Sequence, residues 1–358
     1  MRYDTSCEKY EKRDENKMTT LPKRIDTLDY LRGFALLGII LVNVGAIIAV
    51  QWPQTETDIL YRKLLDFFVE GKFFTIFSTL FGIGFYIFIS NTKKKEQNTY
   101  LLYLRRIIVL AIFGLLHMQL QPGEALLSYS IFGLILIIFS FLKKEVNLVL
   151  GILLLGACLY FDVKIIAVLS YFILGYVFAQ YDLIYTFKTA KRKWQIVGVV
   201  SGIASVIAVI IMQSFYVLPH FELIEQTKEA YEKYPIQVNT YNHVVFMLSP
   251  VLTIFYTSLL ISLLNTNIGQ KLLTPLKYYG RMALTNYIGQ TILIYLAGAI
   301  LFNGPVRLIH TLILSIVIYL IQLIFTYFWL KAFRYGPLEY IWRCLTYLKI
   351  MPIRIISK

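Results

Sequence analysis

Charge is what this sequence has least of. Lys, Arg, Asp and Glu make up 16% of its 358 residues, against roughly a quarter in an ordinary soluble domain. With 58% of the chain hydrophobic, too few charges remain to coat a water-facing globule, and a membrane protein is indicated. Acidic residues are scarcer still, 21 against 35 Lys and Arg. In a soluble protein that excess would suggest a nucleic-acid partner. Here the basic residues flank apolar runs, where they set orientation and meet anionic headgroups, and no RNA- or DNA-binding signature accompanies them. The expected partner is the lipid bilayer, not nucleic acid.

Cysteine and histidine are also sparse. Cys7, Cys158 and Cys344 are far apart, which gives neither a disulfide framework nor a CxxC metal site, and no metal is expected. Residues 1–28 mix Lys, Arg, Asp and Glu, with no short apolar core before a small-residue cleavage site. The first span is therefore expected to stay in the mature protein.

What the sequence does contain is apolar runs between short polar joints, read as about ten membrane-spanning helices near 33–52, 73–90, 105–120, 125–142, 146–161, 165–182, 195–218, 244–265, 283–303 and 308–330. The fifth is short, and if it forms a re-entrant pair with the sixth the number falls to eight. Alternate joints hold 28 Lys and Arg in one set and 7 in the other. By the positive-inside rule both termini lie in the cytoplasm, in a cell membrane. The expected fold is thus an all-α polytopic bundle. It divides into a polar tail (1–28), four N-terminal spans (29–142), a middle region of three spans with an outer loop at 219–243, a C-terminal membrane region (244–333) and a cytoplasmic tail (334–358). The outer loop is acidic and is expected as a solvated connector, with a lid as the alternative. In the tail, Pro337 and the alternation of Trp342, Tyr340 and Tyr347 with Arg343 and Lys349 suggest a helix lying along the inner surface.

Polar side chains inside spans are costly and therefore informative. Asp29 and Arg32 sit one turn apart at the inner boundary, either as an anchoring ion pair or with Arg32 free for a ligand. Asn43 lies ten or so residues deeper and Lys72 at the outer end of the second span. Gly82 and Gly84 are inside an apolar helix, which suggests close packing and not a phosphate loop. Asn286 and Gln290 are four apart, hence on one helical face. Arg281 lies below them, placed either to pair with a cofactor phosphate or to snorkel to headgroups. Ser249 and Pro250 interrupt the eighth span. Asn43, Lys72, Asn286 and Gln290 together outline a polar path across the bilayer.

The joint "HMQLQPGEA" (117–125) faces outward and carries no Lys or Arg. Pro122 and Gly123 make a turn, and Glu124 stands before the fourth span, where a carboxylate meets the positive helix end. Orientation and turn chemistry leave His117 paired with Glu124 unexplained. A histidine base needs a partner that fixes its tautomer, which makes these two the candidate catalytic pair.

Several stretches resemble the YeiB-like membrane proteins, the family called domain of unknown function 418. They are "RIDTLDYLRGFALLGIILVNV" (24–44), "EGKFFTIFSTLFGIGF" (70–85), "RRIIVLAIFGLLHMQLQPGEALLSYSIFGLIL" (105–136), "PLKYYGRMALTNYIGQ" (275–290) and "FRYGPLEYIWRCLTY" (333–347). The first span also resembles those of transmembrane acyltransferases, which use acetyl-CoA from the cytoplasm and a histidine base near the outer side. No histidine stands in or just after the first span here, so that residue does not carry over at its own position, and His117 is the nearest functional substitute. Three readings follow. In the first, an acyl group passes from acyl-CoA, its phosphates held by Arg32 and Arg281, to an envelope glycan or lipid. The second is a transporter or exporter of a small solute or lipid, gated by His117 and Glu124. The third is a structural or interaction protein.

Overall fold

The computed structural model describes residues 24–53, 55–217, 228–302 and 304–355; the tail before residue 24, His220 and the loop residues 219–227 lie outside them. In chain order the helices are α1 Asp26–Ile47, α2 Glu56–Phe68, α3 Lys72–Lys94, α4 Thr99–His117, α5 Leu126–Phe139, α6 Lys144–Tyr160 and α7 Lys164–Gln180. There follow the one-turn α8 Thr186–Thr189, then α9 Lys191–Ser214, α10 Lys228–Leu264, α11 Asn267–Arg281, α12 Ala283–Leu301, α13 Leu308–Ala332 and α14 Pro337–Tyr347. Among the described residues the only β pairing is two isolated bridges. Lipid offers no hydrogen bonds, so a spanning backbone must satisfy its own, and a helix does this locally.

Seven helices are long and apolar enough to cross a membrane, or eight if α7 and the turn behind it, bent by 70°, count as one span. All ten expected spans are helical along most of their length. The difference lies in α5, α6 and α7, with 14, 17 and 17 residues, which at 1.5 Å per residue fall short of a hydrocarbon core of about 30 Å. The chain is a multi-pass helical membrane protein.

Two pairs of reciprocal glycine contacts set the bundle's interior. A Cβ on Gly33 would collide with the Leu276 carbonyl, and one on Gly280 with the Asp29 carbonyl, so α1 and α11 touch backbone to backbone. In the same way Gly82 meets the Phe172 carbonyl and Gly175 the Thr79 carbonyl, locking α3 to α7. Such approaches matter in a bilayer, where helices gain little by hiding apolar faces from lipid that is equally apolar. Around these crossings sits a core that includes Leu36, Phe85, Tyr103, Tyr129, Phe172 and Tyr279.

Three elements correct the sequence reading. Residues 228–243, expected in an outer loop, form the first turns of the 37-residue α10, which runs on through Pro235 and Pro250. The segment "KEAYEKY" contains good helix formers and no glycine, and hydropathy does not register that. Helix α2 occupies an expected joint; Thr55 caps it by accepting from the Asp58 backbone N–H at 3.3 Å. Helix α11 also occupies an expected joint, with Thr266 as its cap. Both are amphipathic, and neither contains the apolar run by which spans are recognised.

The C-terminal helix α14 starts with Pro337 in its first turn, as expected. It is not merely resting on lipid. The Trp342 indole donates to the Arg106 carbonyl at 2.8 Å, and Glu339 accepts from the backbone N–H groups of Leu284 (2.7 Å) and Thr285 (3.2 Å) and from the Thr285 hydroxyl (2.6 Å). Burial pushes the Glu339 carboxyl above the ordinary glutamate value against those donors. Placing a leucine at Gly280 or Gly175 should lower the thermal unfolding temperature in detergent, since overpacking costs about 1–3 kcal/mol. Gly156, which has nothing within 4 Å of a Cβ, should accept leucine unchanged; equal effects at all three positions would contradict the packing account.

Candidate functional site

The joint between α4 and α5 brings the two expected residues together. His117 is the last residue of α4 and Glu124 stands two residues before α5, so seven residues of turn return the chain onto itself. Glu124 caps α5, its Oε1 and Oε2 accepting from the N–H groups of Leu126 (2.6 Å) and Leu127 (2.7 Å). That cap fixes the carboxylate, and Oε1 lies 3.2 Å from His117 Nδ1. Gly114 is required one turn earlier, since a Cβ there would press on the Leu127 backbone N at 2.5 Å. Both side chains are buried, 1% exposed for His117 and 3% for Glu124. The imidazole is at the C-terminal end of one helix and the carboxylate at the N-terminal end of the next, where the peptide dipoles favour a positive and a negative group respectively.

On its other side the imidazole meets two residues that sequence reasoning did not single out. Nε2 is 2.8 Å from the Thr291 hydroxyl, which donates to Gln121 Oε1 at 2.7 Å. A carboxylate, an imidazole and a hydroxyl therefore stand in line, with the two ring nitrogens serving opposite neighbours. Nδ1 faces a carboxylate that already accepts backbone N–H groups and so donates to it, and the role of Nε2 toward Thr291 follows the orientation of the Gln121 amide. Gln121 Nε2 is buried without an acceptor among the described residues. Half a turn of that amide would let it donate to Thr291, which would then donate to a bare Nε2, giving the neutral imidazole with Nδ1–H held by Glu124.

Beside this array is a cavity of about 280 Å³ between α1, the α2–α3 joint, α5, α10 and α12. Its wall is aromatic at Phe74, Phe77, Tyr129, Tyr171 and Tyr287 and polar at Asn43, Asp66, Glu70, Lys164, Asn242 and Ser249. Ala125 and Leu126 line it as well, directly after Glu124. Tyr287 separates cavity from imidazole, its ring edge-on to His117 with centroids 5.0 Å apart. Tyr287 and Thr291 are four apart on α12 and share a face, so one helix supplies both the partition and the hydroxyl.

The expected polar path divides into separate parts. Asn43 lines the cavity. Lys72 is wholly buried, and its ammonium donates to the Asp66 carbonyl at 2.7 Å, clamping α2 to the start of α3 beside the cavity. Asp66 itself pairs with Arg62 at 2.8 Å and accepts from the Tyr241 hydroxyl at 3.2 Å; Glu70 meets the same guanidinium at 3.2 Å. Asn286 and Gln290 belong to an interhelical network in which Gln290 Oε1 is buried without a donor among the described residues. Gln290 Nε2 donates to the Tyr279 hydroxyl (2.7 Å), Tyr279 to Gln322 Oε1 (2.6 Å), Gln322 to the Asn286 carbonyl (3.0 Å), and Asn286 to the Tyr279 carbonyl (3.0 Å). Arg32, near the other end of the bundle, pairs with Asp29 at 3.0 Å. Arg281 closes α11, its Nε buried without an acceptor among the described residues. Of the missed groups, Gln121 lay inside the flagged joint, whereas Thr291 and Tyr287 are some 170 positions away and no spacing rule connects them to His117.

Comparisons place the chain among proteins of the same overall length. A family model described as "Protein of unknown function (DUF418)" matches residues 178–349. An "Uncharacterized 39.9 kDa protein in amylase 3'region" of Bacillus acidopullulyticus is 43% identical over 336 residues, covering 93% of this chain and 96% of the relative. YxaH of Bacillus subtilis is 26% identical over 94% of this chain and 97% of its own length, and YeiB of Escherichia coli 25% over 89% and 95%. No solved structure matches the chain.

If His117 and Glu124 act as one buried unit, a double-mutant cycle of His117→Ala and Glu124→Ala on thermal unfolding should give a coupling of roughly 1–3 kcal/mol. Strictly additive losses would contradict the pairing. Thr291→Val should cost about 0.5–1.5 kcal/mol in wild type and less when His117 is already alanine, the remainder being the lost bond to Gln121.

Proposed function

This chain belongs to the DUF418 family of YeiB-like membrane proteins, and we propose that it transfers an acyl group from a cytoplasmic donor to a hydroxyl of an envelope sugar or lipid at the outer face of the cell membrane. The carboxylate, imidazole and hydroxyl in line beside an amphiphilic cavity carry the reading. A glycolipid or lipid-linked sugar suits such a cavity, with apolar parts against the aromatic wall and hydroxyls toward Asn43, Asn242 and Ser249. An acceptor hydroxyl that replaces Thr291 at Nε2 gives its proton to His117 as its oxygen attacks the acyl carbonyl, and Glu124 holds the imidazolium that results. His117 then returns the proton to the leaving group. Asn43 makes no hydrogen bond to any described residue, and its amide is available to the oxyanion that develops on the acyl carbonyl. An acyl-CoA is the donor chemistry that suits Arg32 and Arg281, whose guanidiniums match phosphate oxygens.

Cytoplasmic termini complete this reading, since they put the cavity outside and the arginines inside. A green fluorescent protein fused after residue 358 should fluoresce, and a cysteine at Gly123 should react with an impermeant maleimide on intact cells; the reverse pattern would invert donor and acceptor sides. A second reading rests on Asp66 and Glu70, two carboxylates on the cavity wall, which suit a proton-coupled exporter of a small solute or lipid. Mass spectrometry of envelope glycans and lipids separates the two. Acyl transfer predicts an acyl mass increment present in cells with the gene, absent without it, and not restored by His117→Ala. Identical acylation profiles in all three strains would rule it out.

A further inference from the structure

At the end of α4 opposite His117, guanidiniums gather with too few carboxylates. Arg106 lies flat over the Trp342 ring, 3.8 Å from its centroid, and 5.4 Å from that of Phe88. Its guanidinium donates no hydrogen bond to any described residue, and the Phe88 ring beneath it stands one turn along α3 from Gly84, which Arg32 approaches. Arg32 reaches Asp29 through Nη1 at 3.0 Å, leaving its other edge toward α3. There Nη2 faces Gly84, where a Cβ would be in ordinary contact at 3.9 Å. Asp29 is already engaged by Arg24 in a two-point pair, and it also attracts Arg281, which Arg24 repels.

The neighbouring carboxylates are occupied. Asp26 is held by Lys277 at 2.7 Å, and Glu339 is spent on the first N–H groups of α12. Among the described residues Asp29 alone therefore serves the row. Crowded guanidiniums repel one another, and the arrangement is relieved when an anion bridges them. Their forked donors match phosphate oxygens two at a time, and several in a row match a ligand with more than one anionic oxygen to offer. Helix α14 walls the row on one side, contributing both Trp342 and Arg343, the latter over the rings of Tyr335 and Tyr347.

We propose that Arg32, Arg106 and Arg343, flanked by Arg281, form a binding site for a phosphate-bearing ligand, completed by the docking of α14. The site lies on the donor side of the proposed acyl transfer but rests on the arginine geometry alone. The phosphate belongs either to a soluble organic phosphate or to a phospholipid headgroup, and both meet the same guanidiniums.

The test uses the full chain in nanodiscs of phosphatidylcholine. Inorganic pyrophosphate should raise the thermal unfolding temperature saturably, beyond potassium chloride at equal ionic strength, and Arg106→Gln should weaken this at least tenfold. In nanodiscs containing phosphatidylglycerol, a headgroup site shows as tenfold weaker pyrophosphate binding, with phosphatidylglycerol retained by wild type and lost by the variant in native mass spectrometry. A site for soluble phosphate shows unchanged pyrophosphate binding. Arg343→Gln, at an exposed position, serves as second variant should Arg106→Gln fail to fold. The proposal is overturned if wild type prefers neither pyrophosphate over chloride nor phosphatidylglycerol over phosphatidylcholine, or if a folded variant binds as wild type does. Envelope acylation is measured independently, so failure here leaves the transfer reading to its own test.

Discussion

Backbone-to-backbone contact through glycine is the constraint on which the rest of this bundle depends. Lipid tails are as apolar as leucine, so helices associate by close fit and by polar contacts that have no better partner. The reciprocal pairs Gly33 with Gly280 and Gly82 with Gly175 bring α1 onto α11 and α3 onto α7 at a separation that no larger residue permits. Everything polar follows from that closeness. The Tyr279, Gln322, Asn286 and Gln290 network forms because α11, α12 and α13 are held together beside α1.

The two ends of the bundle then acquire opposite character. At the His117 end, anionic Glu124, Asp66 and Glu70 lie at or beside an aromatic cavity, and the imidazole is held between a carboxylate and a hydroxyl. At the other end guanidiniums outnumber the free carboxylates, and a docked C-terminal helix closes over them. A protein that passes a group from an anionic donor on one side to a neutral hydroxyl on the other needs this division, and an exporter needs the cavity alone.

Much of this was legible in the sequence and some was not, for physical reasons. Apolar runs disclosed the spanning helices because burial in lipid demands length and hydropathy together. Helices α2 and α11 escaped because amphipathic helices at a membrane edge need neither, and α10 extended beyond its apolar run because helix formers continue where the lipid ends. Glu124 was legible through helix capping, a local rule, and His117 through its proximity to Glu124. Thr291 and Tyr287 were not, because only tertiary packing brings α12 against the α4–α5 joint. Asn286 and Gln290 were visible as costly polar groups in lipid, yet the same cost is met by an interhelical network, and sequence does not tell a network from a path. Lys72 is similar: its ammonium serves the Asp66 carbonyl rather than the cavity.

The central claim is that the His117 imidazole is held by Glu124 through a protonated Nδ1 and keeps Nε2 for proton exchange with a hydroxyl. Nitrogen-15 NMR of histidine-labelled protein in lipid bilayers reads both ring nitrogens, and with four histidines in the chain a spectrum of His117→Asn assigns the signals. The account predicts a protonated Nδ1 whose signal moves when Glu124 is replaced by glutamine. A bare Nδ1, or an Nδ1 signal unmoved by Glu124→Gln, would contradict it.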